Sequence, residues 1–244
     1  MQKPKMILFD YGQTLINEVK FDGIKGTEAI LKYAAKNKYQ LTAVQVQDEA
    51  EKINQELGRF NPAGRPLRQV EVPNYMFSAY LYESLGIELS LPAKQIDKVF
   101  WDAASPGVPT SGIEILLEYL HKSGIRTGVI SNISYAGSVV ENRINDMLPD
   151  NHFEFIITTS EYMFRKPNKR IFELALEKAN LRASDVWYIG DSYECDIVGA
   201  GNAGLFPVWY LGAIEMPCEE HDDVLKISDW NELKVLLERQ AMEI

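Results

Sequence analysis

Cysteine and histidine are scarce: two cysteines and three histidines in 244 residues. Cys195 and Cys218 fall in no C-x-x-C or Cys/His spacing, which excludes a disulfide framework and a zinc site. Cys218 reads as a packing residue. His121, His152 and His221 lie away from every motif described below and read as surface residues. An excess of positive charge is also lacking, with 25 Lys and Arg against 35 Asp and Glu and a formal net charge of −10. A nucleic-acid backbone or an anionic membrane needs a basic footprint, so both are excluded as main partners and a small soluble ligand is favoured. Long apolar runs are missing as well. The run that ends at Phe9 is too short for a signal-peptide core or a membrane span, so a cytoplasmic protein is expected. Internal repeats and low-complexity segments are absent.

What is present is enough apolar sequence, 46% of residues, for one large domain or for a core with an insertion. Short runs rich in β-branched and aromatic residues occur at 6–9, 127–130, 153–158, 186–189 and 207–211. From Gly112 onward they alternate with amphipathic stretches such as 113–122, closed by Gly124, and 170–179. This rhythm predicts an α/β fold with a doubly wound parallel sheet, because parallel strands need helical crossovers. Residues 20–104 differ in character and show no convincing strand. Helices are expected at 27–35, at 42–57 with a Thr42/Gln45 capping box, and at 73–85 and 92–104, each with Pro near its start. The expected organisation is a core of residues 1–19 and 105–244 with an inserted helical cap at 20–104. The aromatics Tyr75, Phe77, Tyr80 and Tyr82 read as packing within that cap.

Four motifs follow in order, each where an apolar run ends. MILFDYGQTL places Asp10 and Thr14 just past the first strand, and TGVISN gives Ser131 and Asn132. RKPNKRIF gives Lys166, and YIGDSYECDIVGAGNAG gives Asp191 and Asp196. In open parallel sheets the ligand crevice lies outside the carboxyl ends of the strands, so these side chains can converge. Gly199, Gly201 and Gly204 read as close packing and turns around the fourth motif, not as a dinucleotide site.

This ordered set resembles the haloacid dehalogenase superfamily, in which a nucleophilic Asp, a Ser/Thr, a Lys and an acidic pair share one site. The resemblance covers about 5–14 and 107–237, and the inserted helices match the family's helical cap in place and character. It implies a Mg²⁺-dependent hydrolase acting on a small phosphorylated metabolite, with an aspartyl-phosphate formed on Asp10. It implies Asp10, Ser131 and Lys166 as catalytic residues, and Thr14, Ser131, Asn132 and Lys166 around the phosphate. The metal ligands it implies are Asp10, Asp191, Asp196 and the Gly12 carbonyl. The chemistry is consistent, since a carboxylate attacks a phosphate dianion only when charge is neutralised, and Mg²⁺ prefers oxygen ligands. Arg59, Arg65 and Arg68 sit in or beside the loop at 60–73, where a closing cap would present them to a substrate anion.

One residue departs from the pattern. Family phosphatases read D-x-D-G-T, and the second Asp moves a proton to the leaving group and then from water. Here Gly12 stands in its place. Proton transfer of this kind contributes about 10²–10⁴ in rate, so alkyl phosphates are expected to turn over slowly and acyl or aryl phosphates to suffer least. Glu18 and Asp22 lie at the exit toward the insertion and read as linker charges, with a substitute acid as the alternative. Three alternatives follow from Gly12: a weakly active or regulatory member that binds a phosphorylated ligand, a phosphonatase-like enzyme using Lys52, or a haloacid dehalogenase. Lys52, among Glu49, Glu51 and Glu56, reads as a solvated salt-bridge partner, and the intact acidic pair opposes a dehalogenase.

Overall fold

A computed structural model describes residues 3–59, 70–213 and 223–242. Arg65, Arg68, Cys218 and His221 lie outside the described residues. The chain opens with β1 (Met6–Phe9) and β2 (Ile16–Glu18), then α1 (Gly23–Leu31), β3 (Ala34–Asn37) and α2 (Ala43–Leu57). After residue 70 come α3 (Asn74–Ser84), β4 (Ile87–Leu89), α4 (Ala93–Ala104) and β5 (Gly107–Pro109). The remainder alternates: α5 (Ile113–Lys122), β6 (Arg126–Ser131), α6 (Gly137–Met147), β7 (Ile156–Thr158), α7 (Thr159–Tyr162), α8 (Lys169–Ala179) and β8 (Val186–Gly190). A π-helical turn (Tyr193–Val198) leads into α9 (Gly199–Asn202), followed by β9 (Phe206–Tyr210), β10 (Leu225–Ile227) and α10 (Trp230–Met242).

Six strands form one parallel sheet in the order β10-β9-β8-β1-β6-β7. The chain winds from β1 through β6 to β7, then returns to the other side through β8, β9 and β10. The direction of winding therefore reverses at β1, which makes its carboxyl end the switch point of a doubly wound sheet. Alternation along the strands explains why both faces are buried. Ile7, Phe9, Trp187 and Ile189 face one apolar cluster with α5, α6 and α10, while Met6, Leu8, Val186 and Tyr188 face another with α8.

Helices α1 to α4 pack around a third cluster built from Ile30, Val46, Ala50, Leu81, Tyr82 and Ile87. The Thr42/Gln45 capping box forms, and Gly58 closes α2 in the left-handed conformation that favours glycine. Three expectations need correction here. First, this region contains strands: β3 and β4 pair antiparallel inside it, and β2 and β5 form a two-stranded stem at its base. Strands of three or four residues with one apolar face carry too little periodicity to stand out. Second, α1 begins at Gly23 instead of 27, because Asp22 caps it by accepting from Lys25 N, and residues 34–37 are strand. Third, Tyr75 and Tyr80 are exposed at 42% and 62%, whereas Tyr82 is buried.

The glycines Gly199, Gly201 and Gly204 have the G-x-G-x-x-G spacing, but they follow the π-helical turn instead of opening a helix directly after a strand. They thus lack the strand-to-helix context of a dinucleotide site, and a side chain at Gly199 would press on Phe172 and Pro167. Among the described residues, no helix is long and apolar enough to cross a membrane.

Candidate active site

Three of the predicted side chains meet at the carboxyl ends of β1 and β8. Asp10 follows β1 directly, its backbone N–H donating to Ile189 O at 2.8 Å. Asp191 follows β8, and Asp196 comes from the π-helical turn, where its Oδ2 accepts from Ser192 N at 2.9 Å. One oxygen from each of these carboxylates lies within 4.8 Å of the other two. Gly190 makes the arrangement possible, because a Cβ at that position would overlap the Asp196 carboxyl. Gly190→Ala is therefore expected to displace Asp196 and lower turnover, which steady-state assays check.

Lys166 lies at the centre of this cluster, 3% exposed. Its Nζ donates to Asp10 Oδ1 and Asp196 Oδ1, both at 2.6 Å, and to the Tyr188 hydroxyl at 2.8 Å. Tyr188 in turn donates to Ile130 O at 3.2 Å. Burial opposes the charge on Lys166, but the Asp10 and Asp196 carboxylates outweigh it and hold the ammonium above its ordinary pKa. Burial pushes Asp10 up to about 8, against the pull of Lys166 and with the push of Asp196 and Asp191. Asp191 rises to about 6 through burial and then Asp196. Two buried carboxylates and one half-buried one around a single ammonium form a site short of positive charge, with oxygen ligand atoms only. Such a donor set fits a hard divalent cation.

The second and third motifs interlock. Ser131 ends β6 and is buried beside β1. Asn132 Oδ1 accepts from Lys166 N at 2.8 Å and its Nδ2 donates to Lys166 O at 3.0 Å. The Asn132 amide thus holds the backbone that presents Lys166, a use that the sequence expectation of phosphate binding did not include. Thr14 is fully buried, its carbonyl accepting from Thr110 Oγ1 at 2.8 Å, so it lies in the floor of the loop and away from solvent.

A cleft of about 1330 Å³ runs between the helices at 20–104 and the loop that follows β6. Its walls include Glu18, Asn132, Tyr135, Phe77, Arg59 and Arg165. Arg59 packs over Phe77 and donates to Val72 O at 3.0 Å. Arg165, next to Lys166, pairs with buried Glu71, which also accepts from Thr159 Oγ1 at 2.8 Å. Lys52 is 67% exposed and pairs with Glu49 at 3.1 Å. His121 and His152 are exposed and stack on each other.

Sequence reasoning misread Glu18. Far from being a solvated linker charge, it is 16% exposed, and its Oε1 accepts from Arg143 Nη2 at 3.2 Å and Tyr11 Oη at 3.3 Å. Burial raises its pKa against the pull of Arg143. Asp22 serves as the helix cap. Two further residues were missed. Arg143, 4% exposed, reaches from α6 to Tyr11, Glu18, Asp102 and the Ser105 carbonyl, with its guanidinium 4.3 Å from the Trp101 ring. Its spacing from Val139, Val140 and Ile144 puts it on the buried stripe of α6, a signal visible in the sequence. Tyr188 had no such signal, since a tyrosine inside a buried strand reads as core.

Three carboxylates and one lysine thus meet at the switch point of a doubly wound sheet, where ligands bind in such folds. The family description "haloacid dehalogenase-like hydrolase" matches residues 93–209. Over 158 residues, 64% of this chain and 69% of the relative, it is 30% identical to the pyrimidine 5'-nucleotidase YjjG of Escherichia coli. Over 136 residues it is 29% identical to the mouse haloacid dehalogenase-like hydrolase domain-containing protein 3, a match that spans 53% of this chain and about half, 51%, of that protein. Among solved structures, a 2-haloacid dehalogenase from Pseudomonas syringae superposes with a TM-score of 0.67 over 98% of this chain and 99% of that one, at 19% identity. This chain belongs to the haloacid dehalogenase-like hydrolase family.

Proposed function

We propose that this protein is a Mg²⁺-dependent phosphatase that acts on a small phosphorylated metabolite through an aspartyl-phosphate on Asp10. The observation that carries this reading is the Lys166 ammonium shared between Asp10 and Asp196, with Asp191 in the same 4.8 Å cluster. Asp10 attacks phosphorus in line. Lys166 and the Ser131 hydroxyl hold the transferring phosphoryl oxygens, and Asn132 keeps Lys166 in place. Asp10, Asp191, Asp196 and the Gly12 carbonyl hold the cation. When bound, it offsets the charge that the substrate dianion brings against these carboxylates.

Residues 20–104 act as a cap over the core of 1–19 and 105–244, and substrate enters the cleft between them. Arg59 shapes its wall, and Arg65 and Arg68 belong to the same basic segment. Similarity to a protein named as a nucleotidase supports a phosphate ester as substrate. The acidic cluster argues against a dehalogenase, whose substrate has no phosphate to neutralise. The surface ion pair of Lys52 argues against a phosphonatase. Steady-state hydrolysis of p-nitrophenyl phosphate and acetyl phosphate with Mg²⁺ tests the reading: turnover of both is expected, and turnover of neither would sink it.

A cation site that includes two raised carboxylates also predicts a pH signature. Asp10 at about 8 and Asp191 at about 6 lie above the unfolded value of about 3.9. Their stabilisation is fully present below the unfolded value and is lost as pH rises through 6 and then 8. In chelator, the melting temperature should therefore fall between about pH 5 and 8. Mg²⁺ competes with protons for the same oxygens, so its stabilisation should grow over that range. At about a hundredfold excess over Kd it amounts to about 2.7 kcal/mol, or roughly 5–10 °C for a chain of this length. A Mg²⁺ shift that is flat with pH would contradict the assignment.

A further inference from the structure

Gly12 removes the carboxylate expected two residues after Asp10, yet the loop brings another to the same place. From Asp10 the chain curls back on itself: Gly12 bridges to Ile16, Gln13 N donates to Ile16 O at 2.8 Å, and Gln13 Nε2 donates to Glu18 O at 2.8 Å. The turn is closed by Gln13 at φ 54°, while Gly12 itself lies outside the left-handed region. Glu18, six residues downstream, then faces the loop from β2, where its pairing with Gly107 fixes the register. A Cβ built on Gly12 would meet a single neighbouring side chain within 4 Å, and that neighbour is Glu18 Oε2 at 3.8 Å. The glycine and the glutamate are complementary, since one leaves open the space that the other's carboxylate borders.

The surroundings fix how that carboxylate is presented. Tyr11 and Arg143 both bond Oε1. Arg143 is held in turn by Asp102 and the Ser105 carbonyl, so the side chain is positioned from the stem, from α4 and from α6 at once. Glu18 also lines the cleft through which substrate would arrive, together with Asn132 next to Ser131.

We propose that Glu18 supplies the proton transfer that Gly12 cannot, taking the place of the missing aspartate from a different strand. The proposal rests on the phosphatase reading above. In the first step an Asp10 oxygen forms a bond to phosphorus, the bond from phosphorus to the leaving oxygen breaks, and the proton of the Glu18 carboxyl moves to that oxygen. In the second step water attacks the aspartyl-phosphate and gives its proton to the Glu18 carboxylate. The products are inorganic phosphate, a free Asp10 carboxylate and Glu18 protonated as at the start. This function fits a carboxylate with one oxygen held by donors and the other turned to the loop. It would also let a chain with Gly12 act on alkyl esters, whose leaving oxygen must be protonated.

The test uses the full chain with Mg²⁺ and two probes, β-glycerophosphate, with an alkoxide leaving group, and acetyl phosphate, whose leaving group needs no proton. Glu18→Gln should lower turnover of β-glycerophosphate by about 10²–10⁴-fold. With acetyl phosphate, it should release acetate in a rapid burst of one equivalent per site, followed by slow turnover as phosphoryl-Asp10 accumulates. Adding Gly12→Asp to Glu18→Gln should recover part of the loss and shrink the burst. Should Glu18→Gln fail to fold, Glu18→Asp keeps a carboxyl on the Arg143 side while withdrawing it from the loop, and the same split between probes is expected. An equal slowing of the first step with both probes, with no burst and no rescue, would overturn the role of Glu18 and leave the phosphatase reading intact. Absence of turnover in the unmodified protein would instead remove the reading beneath it.

Discussion

Asp10→Asn should reduce hydrolysis of acetyl phosphate and p-nitrophenyl phosphate by about 10³-fold or more while leaving the fold intact. The substitution keeps the size of the side chain and its place after β1, so Lys166 still has an oxygen within reach. What it removes is the anionic oxygen that the proposed mechanism uses to attack phosphorus. It also removes a carboxylate that burial and its acidic neighbours push upward, so the cation-free variant should melt no lower than the unmodified protein at neutral pH. Loss of activity at preserved or increased stability distinguishes a nucleophile from a structural residue. Steady-state kinetics and a thermal melt on the same sample read both quantities. Turnover within tenfold of the unmodified protein would show that another group forms the bond to phosphorus.

Lys166→Met should produce the opposite balance. The ammonium is the partner of two buried carboxylates and of Tyr188. Removing one partner of a buried ion pair typically costs about 3–5 kcal/mol, because the remaining charges lose their compensation. At neutral pH without Mg²⁺, the denaturation midpoint should fall accordingly. As pH drops and Asp10 takes up a proton, the deficit should shrink. Activity should be lost at every pH, since no other side chain of the cluster carries positive charge to a phosphoryl oxygen. Unchanged stability at neutral pH would mean that the carboxylates are already neutral or solvated, and that the lysine is not what holds them together.

Much of this site was legible because its residues stand where buried strands end. The run at residues 6–9 is the strand β1 (Met6–Phe9), and the runs at 186–189 and 207–211 fall within a residue of β8 and β9. Strands buried on both faces are continuous apolar runs, so their ends, and Asp10 and Asp191 just past them, can be read directly. The helices at 42–57 and 92–104 were equally plain, through a capping box and a Pro at the start. What could not be read depends on the return of the chain. Short strands β2 and β5 form only because their partners, 90 or so residues apart, are brought together by the core. Glu18 was taken for a linker charge for the same reason. In isolation the segment from Ile16 to Glu18 is three residues, one buried, one exposed and one half-buried, and only its pairing turns the third toward Gly12. Asn132 was assigned to phosphate because it follows Ser131, but its amide is committed to the Lys166 backbone, a contact between positions 34 residues apart.

Glu18 also reconciles the two features of the first motif. Asp10, Lys166, Asp191 and Asp196 make a site suited to accept a phosphoryl group, whereas Gly12 on its own would leave it without a proton donor. A carboxylate that enters from β2, braced by Arg143 on the core helix and by Tyr11 beside the nucleophile, ties proton transfer to the stem that leads out to the inserted helices. Motion of those helices would then bear on catalysis through Arg143, Asp102 and Glu18 as well as through the cleft wall.

The most direct test of the central claim is to trap the covalent state. Glu18→Gln protein mixed with acetyl phosphate and Mg²⁺, quenched in acid and digested, should yield one phosphorylated peptide, the one containing Asp10, and the same treatment of Asp10→Asn should yield none. Turnover of acetyl phosphate with no phosphoryl group on the Asp10 peptide, or with the label on another residue, would contradict the assignment of Asp10 as nucleophile.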